Sequence, residues 1–366
     1  MTTHPTITPQ PGILDIAPYV GGGSHAPGAE KVYKLSSNEN PWGPSPKAVA
    51  AFEAASRSLA AYPDPDCAAL RAAIAERHDL DAARIMCGAG SDELIALLCA
   101  AYAGVGDEVV YSQHGFLMYP ISAQANGATP IAAQEETLTA SVDNLLAACG
   151  ERTKLVFLAN PNNPTGTRLN SQEVARLAAG IPEQALLVLD AAYAECVEAE
   201  DDDGGVSLVE RRDNVVMTRT FSKIYGLAAL RLGWLYGPAH VVETLHRIRG
   251  PFNVNAAAQA AGTAAMNDHE YTAECVARNA AQRQRLVDGL TALDIGVTPS
   301  AANFVLAEFG TGAGGAADVD AFLKSRGLIV RRMEGYGLPA HLRISVGNEE
   351  AMDALLAALS EFKAKT

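Results

Sequence analysis

The stretch TRTFSKIYGLAALRLGW, residues 218–234, places a lysine at the end of a predicted strand. The apolar run Val215–Met217 precedes it, and no acidic residue lies close to Lys223 in sequence. A lysine that loses its water shell has a lowered pKa, which makes its amine a nucleophile towards carbonyl groups. The ordinary alternative is a lysine whose amine reaches out to solvent. The residues around this strand decide between the two.

The composition predicts a globular protein with a large core. The chain has 366 residues, of which 48% are hydrophobic and 19% charged, and this length predicts more than one domain. Lys and Arg total 28 against 42 Asp and Glu, and the net charge of −14 argues against nucleic acid or an anionic membrane as the main partner. The sequence contains no signal-peptide pattern and no apolar run long enough to cross a bilayer. Because the six cysteines form no CxxC pair, we expect reduced thiols, a cytoplasmic location and no metal site.

Short apolar strands alternate with helical stretches from residue 84 to residue 249. The predicted strands are Arg84–Cys87, Glu108–Ser112, Lys154–Leu158, Ala185–Leu189, Asn214–Thr218 and Gly233–Tyr236. Predicted helices between them include Asp92–Ala103, Gln172–Ala179 and Val241–Arg249. Strands separated by helices predict an α/β fold, with a mostly parallel sheet covered by helices on both faces.

The sequence after Pro251 has a different character. An alanine-rich segment predicts two helices, three alternating segments predict a smaller sheet, and Glu349–Lys363 predicts a final helix. The three strand segments are NFVLAEF (303–309), LIVRRM (328–333) and HLRISVG (341–347). We therefore predict an N-terminal arm at 1–35, a small α+β domain at 36–62 and 255–366, and a large domain at 63–254.

Unusual polar residues follow the predicted strands of the large domain. CGAGSDE (87–93) comes after the first strand, NPNNPTG (160–166) follows the third, and Asp190 ends the fourth. Ligands of open α/β sheets bind at the carboxyl ends of the strands. This shared placement predicts one binding site that includes Lys223.

The residues next to Lys223 are suited to a phosphate. Thr220 and Ser222 offer hydroxyl groups, and Arg231 offers a fixed cation. A reactive amine beside a phosphate site is what pyridoxal 5′-phosphate (PLP) requires. The sequence therefore predicts PLP as the cofactor.

Other residues supply the remaining groups that PLP chemistry needs. Asp190 is a candidate partner for the pyridine nitrogen, although a helix cap would use the same residue type. Ser91 and Asp92 lie where a strand meets a helix, and free N–H groups there favour an anion. The glycines at this junction lack the third glycine of a dinucleotide fingerprint, which counts against a nucleotide-dependent dehydrogenase.

Three further side chains are candidates with ordinary alternatives. Tyr193 and the amide of Asn163 are placed to bind the phenolic oxygen of the cofactor, although core packing and turn chemistry also use such residues. Phe116 is a candidate to stack on the pyridine ring, although an aromatic residue after a strand more often serves packing.

Together these segments resemble a known family, the fold-type I PLP-dependent aminotransferases. The resemblance runs from about Leu35 to the C-terminus. Within the family it is strongest to the branch that acts on histidinol phosphate. The segments that carry it are LSSNENPWGPSP (35–46), YPDP (62–65), GAGSDE (88–93), NPNNPTG (160–166), LDAAY (189–193), RTFSKIYGLAALRLG (219–233), PFNVN (251–255) and LRISVG (342–347). Two positions depart from the family pattern: Ala191 stands where a glutamate is usual and Ala229 where a glycine is frequent.

The resemblance implies a role for each cofactor residue. Lys223 would hold the cofactor and move a proton, Asp190 would pair with the pyridinium, and Tyr193 and Asn163 would bind the phenolic oxygen. Phe116 would stack on the ring. The implied phosphate ligands are Thr220, Ser222, Arg231, the backbone of Ser91 and Asp92, and Tyr62 from a second subunit.

The resemblance also implies the substrate side of the site. Arg343 would meet the carboxylate of the amino acceptor or the phosphate of the donor, and Arg331 would add to that phosphate site. Asn38 and Asn40 would lie near the substrate, as would Trp42.

The function implied is transfer of the amino group from L-histidinol phosphate to 2-oxoglutarate, giving imidazole-acetol phosphate and glutamate, by a homodimer with shared active sites. The nearest alternative is an aromatic aminotransferase for phenylalanine or tyrosine, including dual activity. A PLP-dependent decarboxylase of a phosphorylated amino acid is a third possibility within the fold. A catalytically silent ligand sensor is disfavoured because Lys223 and Asp190 are retained.

Overall fold

The computed structural model describes residues 7–198 and 203–365. Its strands, in chain order, are β1 (Tyr33–Lys34), β2 (Ile85–Gly88), β3 (Glu108–Ser112), β4 (Thr129–Ala133), β5 (Glu135–Glu136), β6 (Thr139–Ala140), β7 (Thr153–Ala159), β8 (Leu186–Asp190), β9 (Val215–Thr220), β10 (Gly233–Tyr236), β11 (Gly296–Thr298), β12 (Phe304–Glu308), β13 (Leu328–Ile329), β14 (Arg331–Met333) and β15 (Leu338–Ser345). Its α-helices are α1 (Pro46–Ala55), α2 (Ala68–His78), α3 (Ser91–Tyr102), α4 (Met118–Ala125), α5 (Val142–Ala148), α6 (Ser171–Gly180), α7 (Val206–Arg211), α8 (Ala239–His246), α9 (Ala256–Met266), α10 (His269–Ala292), α11 (Ala316–Ser325) and α12 (Glu349–Lys363).

A seven-stranded sheet forms the centre of the molecule. Its strand order is β2-β10-β9-β8-β7-β3-β4. The strand β10 runs antiparallel to both of its neighbours, whereas the pairs from β9 to β4 are parallel. The carboxyl ends of all the other strands therefore meet at one edge, together with the amino end of β10.

Two apolar layers cover the two faces of this sheet. Along β7, Val156 and Leu158 belong to one layer, and Leu155 and Phe157 belong to the other. Successive side chains of a strand point to opposite faces, so a strand with both faces covered is apolar throughout. This double coverage explains the unbroken apolar run Leu155–Ala159 within β7 and confirms the predicted α/β arrangement.

A second, four-stranded sheet has the order β11-β12-β15-β14 and is antiparallel. Its core contains Val305, Ile344 and Leu355, and Leu35 from the N-terminal part of the chain packs there too. The backbone N–H of Ser345 donates to the carbonyl of Leu35, at 2.9 Å. Leu35, the last residue of the predicted arm, is therefore tied to the second sheet.

The helices α1 and α9 pack against each other and against the core of the large sheet. Ala48 of α1 and Ala258 of α9 belong to the same apolar layer as Val156. The boundaries predicted at 62/63 and 254/255 remain a proposal, and this packing favours counting α1 and α9 with the large domain. Within 7–35, the described part of the predicted arm, the only helical segment is a short 3-10 turn at Ile13–Asp15, and β1 lies at its C-terminal end. Residues 1–6 of that arm lie outside the described residues.

Each strand and helix bounded from the sequence has a counterpart in the structure, although some short strands were not predicted and one segment divides in two. The bounds of β3, β10 and α12 are those predicted. The edge strand β4 was not predicted, because Pro130 and its partly exposed neighbours do not form an apolar run. The segment LIVRRM divides into β13, which pairs with β1, and β14, which pairs with β15. Across the described residues, no helix has the length and apolar character needed to span a membrane.

Candidate active site

A cavity of about 310 Å³ opens at the edge where the carboxyl ends of the large-sheet strands meet. Its walls come from the ends of β7, β8 and β9, from the start of α3, and from β14 and β15 of the small sheet. The predicted site residues that line it are Asn38, Ser91, Asp92, Phe116, Asn163, Asp190, Tyr193, Thr220, Ser222, Lys223, Arg231, Arg331 and Arg343. The structure therefore brings together residues that are spread over most of the chain.

The amine of Lys223 faces this cavity. Burial, followed by the nearby guanidinium of Arg343, lowers the pKa of Lys223 from 10.5 to about 8. Its Nζ atom lies 3.5 Å from the carbonyl oxygen of Ser37 and 5.5 Å from the centre of the Tyr193 ring. The amine is thus poorly solvated, and no carboxylate of the described residues is hydrogen-bonded to it. A large fraction is neutral near pH 8, which suits a nucleophile.

Asp190 is a buried carboxylate at the end of β8. Tyr119 donates a hydrogen bond of 2.6 Å to its Oδ2 atom, and the backbone N–H of Ala192 donates to Oδ1 at 3.2 Å. Burial raises the pKa of Asp190, and these two hydrogen bonds oppose that rise. Burial also holds the pKa of Tyr119 well above its usual value, so its hydroxyl stays a donor. The pair presents a fixed acidic group to the floor of the cavity.

Tyr193 presents its hydroxyl to the same space. Nδ2 of Asn38 donates to that hydroxyl at 3.0 Å, and burial raises the pKa of Tyr193 to about 12. Asn38 is itself held by Ser345, whose hydroxyl accepts from the Asn38 backbone at 2.8 Å and donates to its Oδ1 atom at 2.9 Å. Asn38 therefore touches a cavity residue directly, and its role near the substrate stays a prediction.

One end of the cavity is suited to an anion. Nη2 of Arg231 lies 2.9 Å from Oδ2 of Asp92, and its Nη1 donates to the hydroxyl of Ser222 at 3.4 Å. The backbone N–H of Ser222 donates to the hydroxyl of Thr220, at 3.1 Å. These groups surround the N-terminus of α3, where free N–H groups favour negative charge.

Glycine at position 90 permits this arrangement. Its φ is +87°, and a Cβ atom there would lie 2.5 Å from Nη2 of Arg231. A side chain would therefore both strain the backbone and collide with the guanidinium.

The opposite end of the cavity is built around Arg343. Its Nη1 donates to Oδ1 of Asn163, and its Nη2 donates to the carbonyl of Ser36 at 2.8 Å. Burial lowers the pKa of Arg343, and its Nε has no hydrogen-bond partner within the described chain. Asn163, predicted to bind the cofactor, is thus engaged by the predicted substrate arginine in this structure.

Arg331 closes the cavity together with the N-terminal arm. It donates to the hydroxyl of Tyr19 at 3.3 Å and to the carbonyl of Val20 at 2.9 Å. The ring of Tyr19 meets the ring of Phe116 edge to face, with centroids 6.3 Å apart. The arm therefore supplies one wall of the site.

Three residues named from the sequence do not line this cavity. Tyr62 is 81% exposed and stacks on Phe252, with ring centroids 4.4 Å apart. Asn40 donates to the carbonyl of Ile224 at 2.7 Å and to the Cys275 thiol at 3.4 Å. Trp42 packs beside Ile224 and Cys275. The role of Tyr62 was assigned across a subunit interface, so its exposure here leaves that prediction standing.

Sequence reasoning missed Tyr119 and Tyr19. Both line the cavity, and Tyr119 contacts Asp190 directly. The position of Tyr119 three residues after Phe116 was the available signal, because one turn of chain brings the two rings together, and they meet edge to face with centroids 5.9 Å apart. No local pattern distinguished Tyr19 from the rest of the arm.

These residues fit PLP. The cavity combines an amine with a lowered pKa, a buried carboxylate, a buried phenol, and an anion-binding end with a guanidinium and two hydroxyls. An aldehyde, a pyridine nitrogen, a phenolic oxygen and a phosphate call for these four kinds of partner.

Comparison with known proteins agrees with the family resemblance seen in the sequence. The family described as aminotransferase class I and II matches residues 30–359. A histidinol-phosphate aminotransferase of a Ruegeria species is 57% identical over 358 residues, covering 98% of each chain. That of Paramagnetospirillum magneticum is 55% identical over 97% of this chain and 98% of its own.

A solved structure resembles the fold closely. The histidinol-phosphate aminotransferase of Sinorhizobium meliloti, in complex with pyridoxal-5′-phosphate, superposes with a TM-score of 0.86 at 31% identity, covering 90% of each chain. The fold-type I architecture expected from the sequence, a large domain with a mostly parallel sheet and a smaller α+β domain, is confirmed. The chain belongs to the class I and II aminotransferase family.

Proposed function

We propose that this chain is a PLP-dependent aminotransferase of histidine biosynthesis. It would transfer the amino group of L-histidinol phosphate to 2-oxoglutarate, giving imidazole-acetol phosphate and glutamate. The observation that carries the proposal is the convergence of the Lys223 amine, the Asp190 carboxylate and the buried Arg343 guanidinium on one cavity. Its support from relatives is the histidinol-phosphate aminotransferases at 57% and 55% identity over nearly the whole chain.

Bound PLP supplies an electron sink that allows an amino group to leave one substrate and join another. The chain's own residues prepare the site for it. Lys223 would hold the cofactor at its Nζ atom, Asp190 would keep the pyridine nitrogen protonated, and Tyr193 would donate to the phenolic oxygen. Arg231, Ser222, Thr220 and the N-terminus of α3 would bind the phosphate.

Lys223 is also the group best placed to move protons. With a pKa of about 8, its Nζ gives up and accepts a proton near neutral pH more readily than an ordinary lysine. Its hydrogen-bond acceptor at 3.5 Å is a backbone carbonyl, which carries no net charge and therefore does not favour the protonated amine as a carboxylate would. We assign the transfer of the proton at the substrate α-carbon to this atom.

The two arginines account for the use of two different substrates. Arg343 is buried and Arg331 lies at the cavity wall, and the guanidinium of either binds a carboxylate or a phosphate through paired N–H donors. We assign the 2-oxoglutarate carboxylate to Arg343 and the phosphate of histidinol phosphate to both arginines.

A homodimer with shared sites is part of the proposal. Large apolar side chains are exposed on α1 and on the segments near residues 60 and 250, namely Phe52, Leu59, Tyr62, Ile248 and Phe252. Exposed apolar side chains of this size favour association with a second copy, which would bring the exposed Tyr62 of one subunit to the phosphate end of the other site. A cytoplasmic location is also proposed, supported by six cysteines that are unpaired in the structure.

A second candidate has one observation in its favour. Tyr19 and Phe116 give the cavity an aromatic wall, which suits the ring of phenylalanine or tyrosine as well as an imidazole. An aromatic aminotransferase, or dual activity, is therefore the alternative.

A half-reaction measured by absorbance tests these proposals. The purified holoenzyme is mixed with L-histidinol phosphate or, separately, with L-phenylalanine, without a keto acid. Loss of the visible band of the bound cofactor at low concentrations of histidinol phosphate is the expected result. A response to phenylalanine alone would assign the chain to the aromatic aminotransferases, and a protein with no visible band after addition of PLP would contradict the proposal.

A further inference from the structure

A buried carboxylate outside the cavity holds the turn that carries Phe116. Glu135, in β5, has a side chain that is only 2% exposed. Its Oε1 atom accepts hydrogen bonds from the hydroxyl of Ser112 at 2.5 Å and from the backbone N–H of His114 at 3.1 Å. Its Oε2 atom lies 2.7 Å from Nδ1 of His114. One carboxylate therefore fixes both the backbone and the side chain of His114.

The segment fixed in this way leads straight into the cavity wall. Ser112 is the last residue of β3, and the backbone N–H of Gly115 turns back to its carbonyl at 2.7 Å. Phe116 follows, and the backbone N–H of Tyr119 donates to the Phe116 carbonyl at 3.0 Å. The positions of Phe116 and Tyr119 thus depend on the turn at residues 112–115.

His114 also connects the turn to the loop that holds Asn163. The carbonyl of His114 accepts from Nδ2 of Asn162 at 3.4 Å, and that amide group also donates to the hydroxyl of Thr165 at 3.0 Å. Asn163, the next residue, is hydrogen-bonded to Arg343. A displacement of His114 would therefore disturb the cavity wall both at Phe116 and at Asn163.

Glu135 is also anchored to the small sheet. It begins the hairpin of β5 and β6, whose tip residue Leu138 packs beside Leu306, Tyr336 and Leu338. Burial works against the negative charge of Glu135, but the hydrogen bonds from His114 and Ser112 outweigh it and lower its pKa. A buried carboxylate satisfied by three donors is rigid, because each lost hydrogen bond would leave a polar group unpaired.

We propose that Glu135 is a positioning residue of the active site, which acts through His114 to hold Phe116 and Asn163 in place around the cofactor. This inference rests on the proposed PLP-dependent function. Glu135 is not among the residues that line the cavity. Its contribution is to hold the ring of Phe116 and the loop that carries Asn163 in the positions that the cofactor needs.

The test compares Glu135→Ala with Glu135→Gln and with Glu136→Ala as the matched control. Glu136 is the neighbouring residue of the same strand, but it is exposed. Within the described part of the chain, its carboxylate accepts a hydrogen bond from the hydroxyl of Ser141. The measurements on each holoenzyme are the visible circular dichroism of bound PLP, the dissociation constant of PLP, and kcat and KM. Thermal unfolding of each protein without PLP reports on the fold.

Glu135→Ala should weaken the visible dichroism, raise the dissociation constant of PLP, and lower kcat by about tenfold to a hundredfold with KM little changed. Glu135→Gln keeps the shape and most hydrogen bonds, so it should recover most of each signal, and Glu136→Ala should match the wild type. If Glu135→Ala does not fold, Glu135→Gln should still change the dichroism in the same direction by a smaller amount.

A lower unfolding temperature with unchanged dichroism and PLP affinity would overturn the inference, since Glu135 would then support only the fold. This outcome differs from failure of the proposed function, in which the wild-type protein itself would not bind PLP.

Discussion

The hydroxyl of Tyr119 donates a 2.6 Å hydrogen bond to Oδ2 of Asp190, and both groups are buried. The ring of Tyr119 is held by stacking on Phe157, with centroids 4.5 Å apart. Because burial raises the pKa of Asp190, this donor helps to keep the carboxylate ionised where the pyridine nitrogen needs it.

Tyr119→Phe should therefore lower kcat/KM by about tenfold to a hundredfold, the range for one lost hydrogen bond to a charged group. The stacking on Phe157 should survive, so the unfolding temperature should change little.

Asp190→Asn should retain PLP but lose most activity. In that background Tyr119→Phe should have almost no further effect. Additive losses in the double variant would show that Tyr119 does not act through Asp190.

Lys223→Ala should remove the visible band of bound PLP and reduce transamination by about a thousandfold or more, since it removes both the attachment point and the proton carrier. The fold should persist, because the amine makes only a long hydrogen bond of 3.5 Å to the Ser37 carbonyl. Circular dichroism in the far ultraviolet and kinetics check these points. Lys31→Ala, at an exposed lysine paired with Glu350, is the control and should behave as the wild type. Normal turnover by Lys223→Ala would refute the assignment.

The capture of PLP by the protein prepared without it should depend on pH. The pKa of Lys223 is lowered to about 8, chiefly by burial and then by Arg343, so its amine is mostly neutral above that pH. The capture rate should rise as pH increases towards 8 and level off above it, whereas an ordinary lysine would continue to gain reactivity up to its usual value of 10.5. Stopped-flow absorbance measures this rate.

Arg343→Gln tests how much the Arg343 charge contributes to the lowered pKa of Lys223. Removing the guanidinium removes a positive charge that lowers the pKa of Lys223, so the midpoint of the capture profile should move to higher pH. An unshifted midpoint would mean that burial alone sets the reactivity of the amine.

The two arginines should differ in their effects on the two substrates. Arg343→Lys keeps the charge but loses the paired N–H donors, so KM should rise about tenfold or more for both histidinol phosphate and 2-oxoglutarate. Arg331→Gln should raise KM mainly for histidinol phosphate, because only the phosphate is assigned to it. Steady-state kinetics with each substrate varied in turn decides this. An equal effect of Arg331→Gln on both substrates would contradict the assignment.

Hybrid dimers test whether the active sites are shared. Mixing Lys223→Ala with Tyr62→Ala should regenerate activity, because each hybrid contains one site with Lys223 from one subunit and Tyr62 from the other. Mixing Lys223→Ala with Asp190→Asn should not, since both residues line the cavity of the same subunit. Activity assays after mixing and separation by size measure the difference, and absence of recovery in the first mixture would place Tyr62 outside the site.

Much of the fold and most of the site residues were predictable because their signals are local. An unbroken apolar run such as Leu155–Ala159 predicts a strand covered on both faces, and a lysine a few residues after the apolar run Val215–Met217 stands out. The order of the motifs along the chain then indicated the family. The edge strand β4 and the division of LIVRRM into β13 and β14 were not predictable, because pairing partners far along the chain decide them.

By itself, the sequence predicted that Lys223, Asp190 and the strand-to-helix junction at Ser91 follow strands of a mostly parallel sheet. Only the tertiary structure decided that Tyr119 donates to Asp190, that Asn163 is held by Arg343, and that Tyr19 of the arm closes the cavity against Phe116. Each of these contacts joins side chains from different elements. Their distances depend on how helices and sheets pack, which no single segment of sequence encodes.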